Sequence, residues 1–128
     1  MKWVFGLFIV LTILLAGCSS KKPVANYDAL AQCLTEKGAT MYGTEWCSHC
    51  KAQKELFGKS FQYINYVDCD KARNDCIAAG VDGYPTWKIN NRLYPGTQSL
   101  YTLALTSDCL DVFNVAQNAL TGSVITSQ

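Results

Sequence analysis

The sequence has one histidine, three prolines and no excess charge of either sign: eleven Lys and Arg stand against ten Asp and Glu in 128 residues. That balance leaves no electrostatic footprint for nucleic acid. With His49 the lone imidazole, neither a histidine-based triad nor a histidine metal cluster is available. The chain shows no phosphate-cradling glycine loop and no internal repeat. Its length suits one domain and not two. No cofactor and no metal is expected. What the chain does have is cysteine, and the count is seven. An odd number in an exported chain needs an explanation.

Export is read from the first segment. Thirteen of the first seventeen residues are apolar, after the single charge of Lys2. The run over residues 3–17 would reach only about 22 Å as a helix, short of a hydrocarbon core of about 30 Å. One positive charge, a short apolar stretch and small residues at its end describe a secretory signal over 1–17. The ending Leu15-Ala16-Gly17-Cys18 resembles the lipobox of bacterial and archaeal lipoproteins. That resemblance implies that Cys18 is lipidated and becomes the first mature residue. An uncleaved anchor and a plain cleaved signal are the alternatives. Residues 18–25 then form a polar tether, and the domain is expected outside the cytoplasm as a membrane-anchored lipoprotein, where disulfides persist. Six cysteines remain.

Apolar spacing predicts a helix over 27–36, with Asn26 as cap and Gly38 as stop. Residues 39–43 read as a buried strand, 48–57 as an amphipathic helix, 62–67 as a strand and 71–79 as a helix. Segments 86–90 and 92–94 flank Asn90-Asn91, a pair suited to a hairpin because Asn tolerates positive φ. Helices are expected over 99–106, opened by Ser99, and over 111–120. This order calls for an α/β domain over 26–121 with a mixed sheet flanked by helices. The polar tail over 122–128 is not expected to add to it.

Trp46-Cys47-Ser48-His49-Cys50-Lys51 falls where the first strand passes into a helix. Unpaired N–H groups at a helix start favour a thiolate at Cys47. Two intervening residues bring Cys50 within one turn, so that it can resolve a mixed disulfide formed at Cys47. A protonated His49 would favour the thiolate further. A zinc half-site fits poorly, because Cys69 and Cys76 lie seven apart. Haem attachment is excluded, because Lys51 stands where histidine would be needed. A purely structural Cys47–Cys50 bridge stays open. Trp46, Tyr84 and Trp87 lie beside this pair as an apolar collar for an unfolded substrate or as core. Glu45 and Lys51 read as solvated charges.

The stretch Met41-Tyr42-Gly43-Thr44-Glu45-Trp46-Cys47 through Cys50, followed by Gly83-Tyr84-Pro85-Thr86, resembles the thioredoxin superfamily. The resemblance implies a thioredoxin-like fold in which Pro85 is cis, packs against the active pair and orients substrate. More narrowly, "MYGTEWCSHCKAQKELFG", "YINYVDCD", "GVDGYPTWKIN" and "YPGTQSL" resemble the thioredoxin-like domain of bacterial vitamin K epoxide reductase homologues. In those proteins a membrane helix bundle reoxidises the domain. The present residues hold no such bundle, so a membrane redox partner of that type is expected as a separate chain. Two departures bear on direction. Met41 stands where cytoplasmic thioredoxins hold a buried acid, and Ser48-His49 replaces their Gly-Pro. Histidine before the second cysteine is shared with exported oxidases and isomerases.

The other four thiols allow three pairings. Cys69 and Cys76 are close in sequence, and Cys33 and Cys109 are placed to staple the chain ends, so Cys69–Cys76 with Cys33–Cys109 is the expected set. A second redox pair at Cys69–Cys76 is the alternative. The leading expectation is a membrane-tethered thiol–disulfide oxidoreductase acting on protein thiols and disulfides, leaning to oxidation or isomerisation. In it Cys47 exchanges, Cys50 resolves, His49 tunes, Pro85 orients, and Trp46 and Tyr84 receive substrate. A thioredoxin-fold binding module or metal chaperone without turnover is the alternative.

Overall fold

The computed structural model describes residues 25–122. The expectations for residues 1–17, for Cys18 and for residues 123–128 lie outside the described residues.

Helix α1 (Asp28–Glu36) buries Leu30, Ala31 and Leu34 completely. Asn26 Oδ1 accepts the Asp28 N–H at 2.8 Å, so the side-chain cap sits one residue further out than the helix-flanking Tyr27. Gly38, at φ 77°, turns the chain into β1 (Thr40–Gly43). Then follow α2 (Ser48–Phe57), a 3-10 turn (Gly58–Tyr63) and β2 (Asn65–Asp68). Strands β1 and β2 pair in parallel, from Thr40 opposite Asn65 to Gly43 opposite Asp68. A parallel pair needs a crossover, and α2 with the 3-10 turn is that crossover.

Short α3 (Arg73–Ala78) leads to β3 (Thr86–Ile89), antiparallel to β1, and β4 (Arg92–Pro95) folds back on β3. Asn90 and Asn91 adopt φ 49° and 61°, the left-handed pair of a tight hairpin. The sheet order is β2-β1-β3-β4. Helices α4 (Leu100–Thr106) and α5 (Leu110–Thr121) complete the described residues. Ser99 accepts the Thr102 N–H at 3.0 Å and caps α4. Buried Met41, Phe57, Trp87, Ile89, Leu103 and Ala104 join α1 in one apolar core. The architecture is α/β and thioredoxin-like.

The expected strand over 62–67 is corrected: Gln62 and Tyr63 belong to the 3-10 turn, and the strand runs over Asn65–Asp68. Ser60 there is buried, accepts the Tyr27 N–H at 3.1 Å and donates to Asp28 Oδ1 at 2.7 Å. Thr35 donates to the Tyr63 carbonyl at 2.7 Å and accepts the Asn65 N–H at 3.1 Å. These bonds hold residues 60–63 against α1 rather than in the sheet. The expected helix over 71–79 is likewise shorter, because a turn over 69–71 precedes Arg73.

Gln53 is a fully buried amide in the middle of α2. Its Oε1 accepts the Trp87 indole N–H at 3.1 Å and the Gln98 backbone N–H at 2.7 Å, and its Nε2 donates to the Gln98 carbonyl at 3.0 Å. One side chain thus fastens α2 to β3 and to the segment between β4 and α4. Phe57, one turn on, adds a tilted ring contact with Trp87 at 6.1 Å.

Two disulfides close the periphery. Cys33–Cys109 spans 76 residues and joins α1 to the start of α5, whereas Cys69–Cys76 spans 7 and joins the end of β2 to α3. In the chain-entropy model the long loop contributes about 4 kcal/mol and the short one about 2 kcal/mol. Denaturant unfolding of Cys33→Ala/Cys109→Ala is therefore expected to show the larger loss, about twice that of Cys69→Ala/Cys76→Ala; the reverse order would contradict this account. Gln53→Leu leaves an indole N–H, a backbone N–H and a carbonyl without partners. At about 1–3 kcal/mol for each buried orphan, unfolding free energy should fall by about 3 kcal/mol or more.

Candidate functional site

Strand β1 ends at Gly43, and residues 44–47 carry the chain into α2. Cys47 flanks the helix start in extended conformation, φ −77° and ψ 116°, and its Sγ accepts the Cys50 backbone N–H at 3.1 Å. Sulfur here takes the role of the side-chain oxygen that usually satisfies a helix's first free N–H groups. Cys47 and Cys50 are the two free thiols among the described cysteines. Both are buried, Cys50 completely and Cys47 with 6% of its surface in solvent.

Burial pushes the Cys50 thiol up to about 11, helped by its hydrogen bond with Cys47 and by the charge on that neighbour; the Thr44 backbone and Lys54 act in the opposite sense. Cys50 is therefore a neutral thiol at physiological pH.

Trp46 is 69% exposed, donates its indole N–H to Asp70 at 3.2 Å and stands edge-on to Tyr84 at 6.2 Å. That contact brings the loop before β3 to the residue next to Cys47. The Tyr84–Pro85 peptide is cis, and Pro85 is buried. The Pro85 carbonyl accepts the Gly96 N–H at 2.8 Å, and Thr86 donates to the Gly83 carbonyl at 2.8 Å, fixing the loop at both ends. Trp87 belongs to the core, with no exposed surface. His49 is exposed on α2; its carbonyl accepts the Thr97 hydroxyl at 3.3 Å, and its imidazole makes no hydrogen bond among the described residues. Cys69 and Cys76 form a closed bridge within a cleft of about 350 Å3 that also takes in Trp46 and Tyr84. Cys33 and Cys109 lie in the other bridge.

Sequence reading passed over four residues that touch this region. Gln53 sits on the buried stripe Cys50, Gln53, Phe57, and a polar residue on that stripe was the available signal. Gly43 comes so close to the site that a Cβ there would lie 2.9 Å from Cys50 Sγ. Tyr66, opposite Met41 across the β1–β2 pair, reaches the same point. Lys54 lies over the Tyr66 ring, 4.2 Å from its centroid, and pairs with Glu45 at 3.2 Å. Glu45, read as a solvated charge, is exposed and pairs with Lys54.

No protein-family model matches the chain. It is 42% identical over 106 residues to the thiol-disulfide oxidoreductase LTO1 of Arabidopsis thaliana, covering 75% of this chain and 28% of that protein. It is 32% identical over 91 residues to a protein disulfide-isomerase of Arthroderma benhamiae, covering 65% of this chain and 17% of that protein. A protein disulfide-isomerase of Aspergillus niger matches at 32% over 74 residues, 50% of this chain and 14% of that protein. The chain thus spans less than a third of the length of these relatives. Taken with the mixed sheet and the paired thiols at the start of α2, the matches make the chain a member of the thioredoxin-like superfamily.

Proposed function

We propose that this protein is a thiol–disulfide oxidoreductase of protein substrates, held outside the cytoplasm on a membrane through a lipidated Cys18 and leaning to oxidation or isomerisation. The observation that carries the redox reading is the contrast among the six described cysteines. Four are closed in bridges, and two stand free, three residues apart at a helix start, with the Cys47 sulfur on the Cys50 N–H. The matched proteins are named for the same class of reaction.

In the oxidising direction a substrate thiolate attacks Cys47 of the Cys47–Cys50 disulfide, and Cys50 leaves and takes up a proton. A second substrate thiolate then attacks the mixed disulfide. The substrate gains a disulfide, and the protein gains two electrons and two protons as a dithiol. Isomerisation uses the same first bond in both directions. Cys47 is the exchanging sulfur because it alone of the pair has surface in solvent. Cys50 is the resolving one. Trp46 and Tyr84 border the cleft where an unfolded segment would lie, and Pro85 would present backbone to it.

The oxidising lean rests on Met41, fully buried in β1 where reducing members hold an acid, and on His49 between the thiols. Regeneration then needs an electron acceptor, for which a separate membrane protein of the vitamin K epoxide reductase type is the natural candidate. A metal-carrying module is the competing reading. Among the described residues no three metal-ligating side chains converge, so such a metal would have to share the two thiolates with a partner's ligands.

Two outcomes are expected. In oxidative refolding of a reduced disulfide protein, Cys47→Ser abolishes turnover, whereas Cys50→Ser incubated with a disulfide-bonded protein exchanges at Cys47 and accumulates the mixed disulfide, visible by mass. Inactivity of the wild type, together with tight copper binding, would favour the module instead. The Cys47–Cys50 couple, equilibrated with glutathione, should lie between about −180 and −120 mV; a value near −270 mV would reverse the assigned direction.

A further inference from the structure

Cys50 must shed a proton each time it attacks a mixed disulfide and regain one each time it leaves, yet it is completely buried, and the β1 residue that meets its sulfur, Gly43, carries no side chain to accept one. The redox reading of the Cys47–Cys50 pair is the ground on which the following rests.

Two buried hydroxyls near this thiol have no hydrogen-bond partner among the described residues: Thr44 Oγ1 and Tyr66 Oη. Buried polar groups are nearly always paired, so an orphan beside a reacting atom calls for a role. The two differ in reach. The phenol of Tyr66 and the Cys50 sulfur both close on the bare Cα of Gly43. A Cβ on Gly43 would stand 2.9 Å from Cys50 Sγ, 3.2 Å from Tyr66 Cε2 and 3.4 Å from Tyr66 Oη. Glycine at 43 is what lets sulfur and phenol approach the same spot.

Outward from the phenol stands a charged pair. Lys54 Nζ lies 4.2 Å from the Tyr66 ring centroid and 5.4 Å from that of Phe61, and it holds Glu45 Oε1 at 3.2 Å. The Glu45 side chain is 66% exposed, so this pair runs from the face of the Tyr66 ring out to water. Phe61 packs edge-on against Tyr66 at 5.7 Å and fixes the ring from the side. The charged and titratable groups facing Cys50 are Cys47, Lys54 and Tyr66; those facing Tyr66 are Lys54, Glu45, Asp68, Cys50 and Cys47.

We infer that Tyr66 is the proton relay of Cys50, carrying protons between the buried thiol and the Glu45–Lys54 pair at the surface. In the resolving step the Cys50 S–H proton passes to Tyr66 Oη as the phenol proton passes to the Glu45 carboxylate. The freed electron pair on Cys50 forms the bond to Cys47, and the bond from Cys47 to the substrate sulfur breaks. The substrate leaves as a thiolate, and Glu45 returns its proton to water. In the oxidising direction the same groups deliver a proton to Cys50 as it leaves. Burial of the phenol, which pushes its own ionisation upward, keeps Tyr66 neutral and able to donate throughout. A relay of this kind takes the place that a buried carboxylate fills in reducing members.

The reaction of the reduced protein with Ellman's reagent isolates the step without a protein substrate. Cys47 releases one thionitrobenzoate on forming the mixed disulfide, and Cys50 releases a second on resolving it. Tyr66→Phe should leave the first release unchanged and slow the second about tenfold or more at neutral pH, within the range of a lost acid–base group. The deficit should shrink as the pH is raised towards the Cys50 value of about 11, where the thiol ionises unaided. The hydroxyl has no partner to lose, so the melting temperature should hold or rise. An unchanged second release, an equal slowing of both releases or a pH-independent deficit would overturn the relay. Because the reagent needs only two thiols, these results stand apart from the refolding assay that tests the redox function.

Discussion

Gln53 carries a donor and an acceptor into an interior where water does not reach, and all its bonds are made to groups that have no other partner nearby. The acceptor end takes two N–H groups, from Trp87 and Gln98, and the donor end takes the Gln98 carbonyl. A buried amide left short of any of these would cost more than the bond it replaces returns, so the arrangement is close to all-or-none. The consequence is geometric. Helix α2 cannot slide or rotate on the sheet without breaking three bonds, and Cys47 and Cys50 sit in its first turn. The loop running from β4 to α4 is fixed by the same side chain. The position of the thiols relative to β3 and the segment before α4 is thus inherited from Gln53.

Around that node the two thiols have been given unlike surroundings by ordinary rules of chain geometry. Cys47 flanks the helix start, where the backbone offers unpaired N–H groups and a little solvent remains. Cys50, three residues on, falls on the inward stripe shared with Gln53 and Phe57. A separation of three along a helix therefore yields one sulfur that can meet a partner and one that meets only the interior. No special residue is needed for that asymmetry; the spacing supplies it.

Much of this was legible in the sequence because the signals were local. Helix α2 was read with its observed bounds, the Asn90-Asn91 corner gave a hairpin with both residues at positive φ, and Ser99 was found at its cap. The two bridges followed from proximity and parity of the cysteines. The error over 62–67 has a non-local cause. Tyr63 to Val67 does alternate, but Ser60 and Thr35 hold the first part of that segment to α1 through bonds spanning about thirty residues, which no window of sequence displays. Tyr66 and Gly43 escaped notice for a related reason. Their approach to Cys50 depends on which residues face each other across a parallel pair, and that register is set by the crossover between the strands. Gln53 was hidden differently: glutamine inside a helix reads as a surface residue, and only its place on the buried stripe says otherwise.

The last consequence comes from the far end of the chain. Tyr27, at the entry to α1, stacks on Phe113 of α5 at 6.5 Å and accepts a hydrogen bond from Gln117 at 2.9 Å, while Cys33–Cys109 binds the same two helices covalently. The first and last of the described helices are thereby tied to each other. A domain whose entrance and exit lie side by side is mechanically a bead on a string. Pull or drag on the polypeptide outside it is borne by α1, α5 and their sulfur bridge, and the lever arm to α2 is cut out. Such a bead works the same way whatever the length of the chain it belongs to.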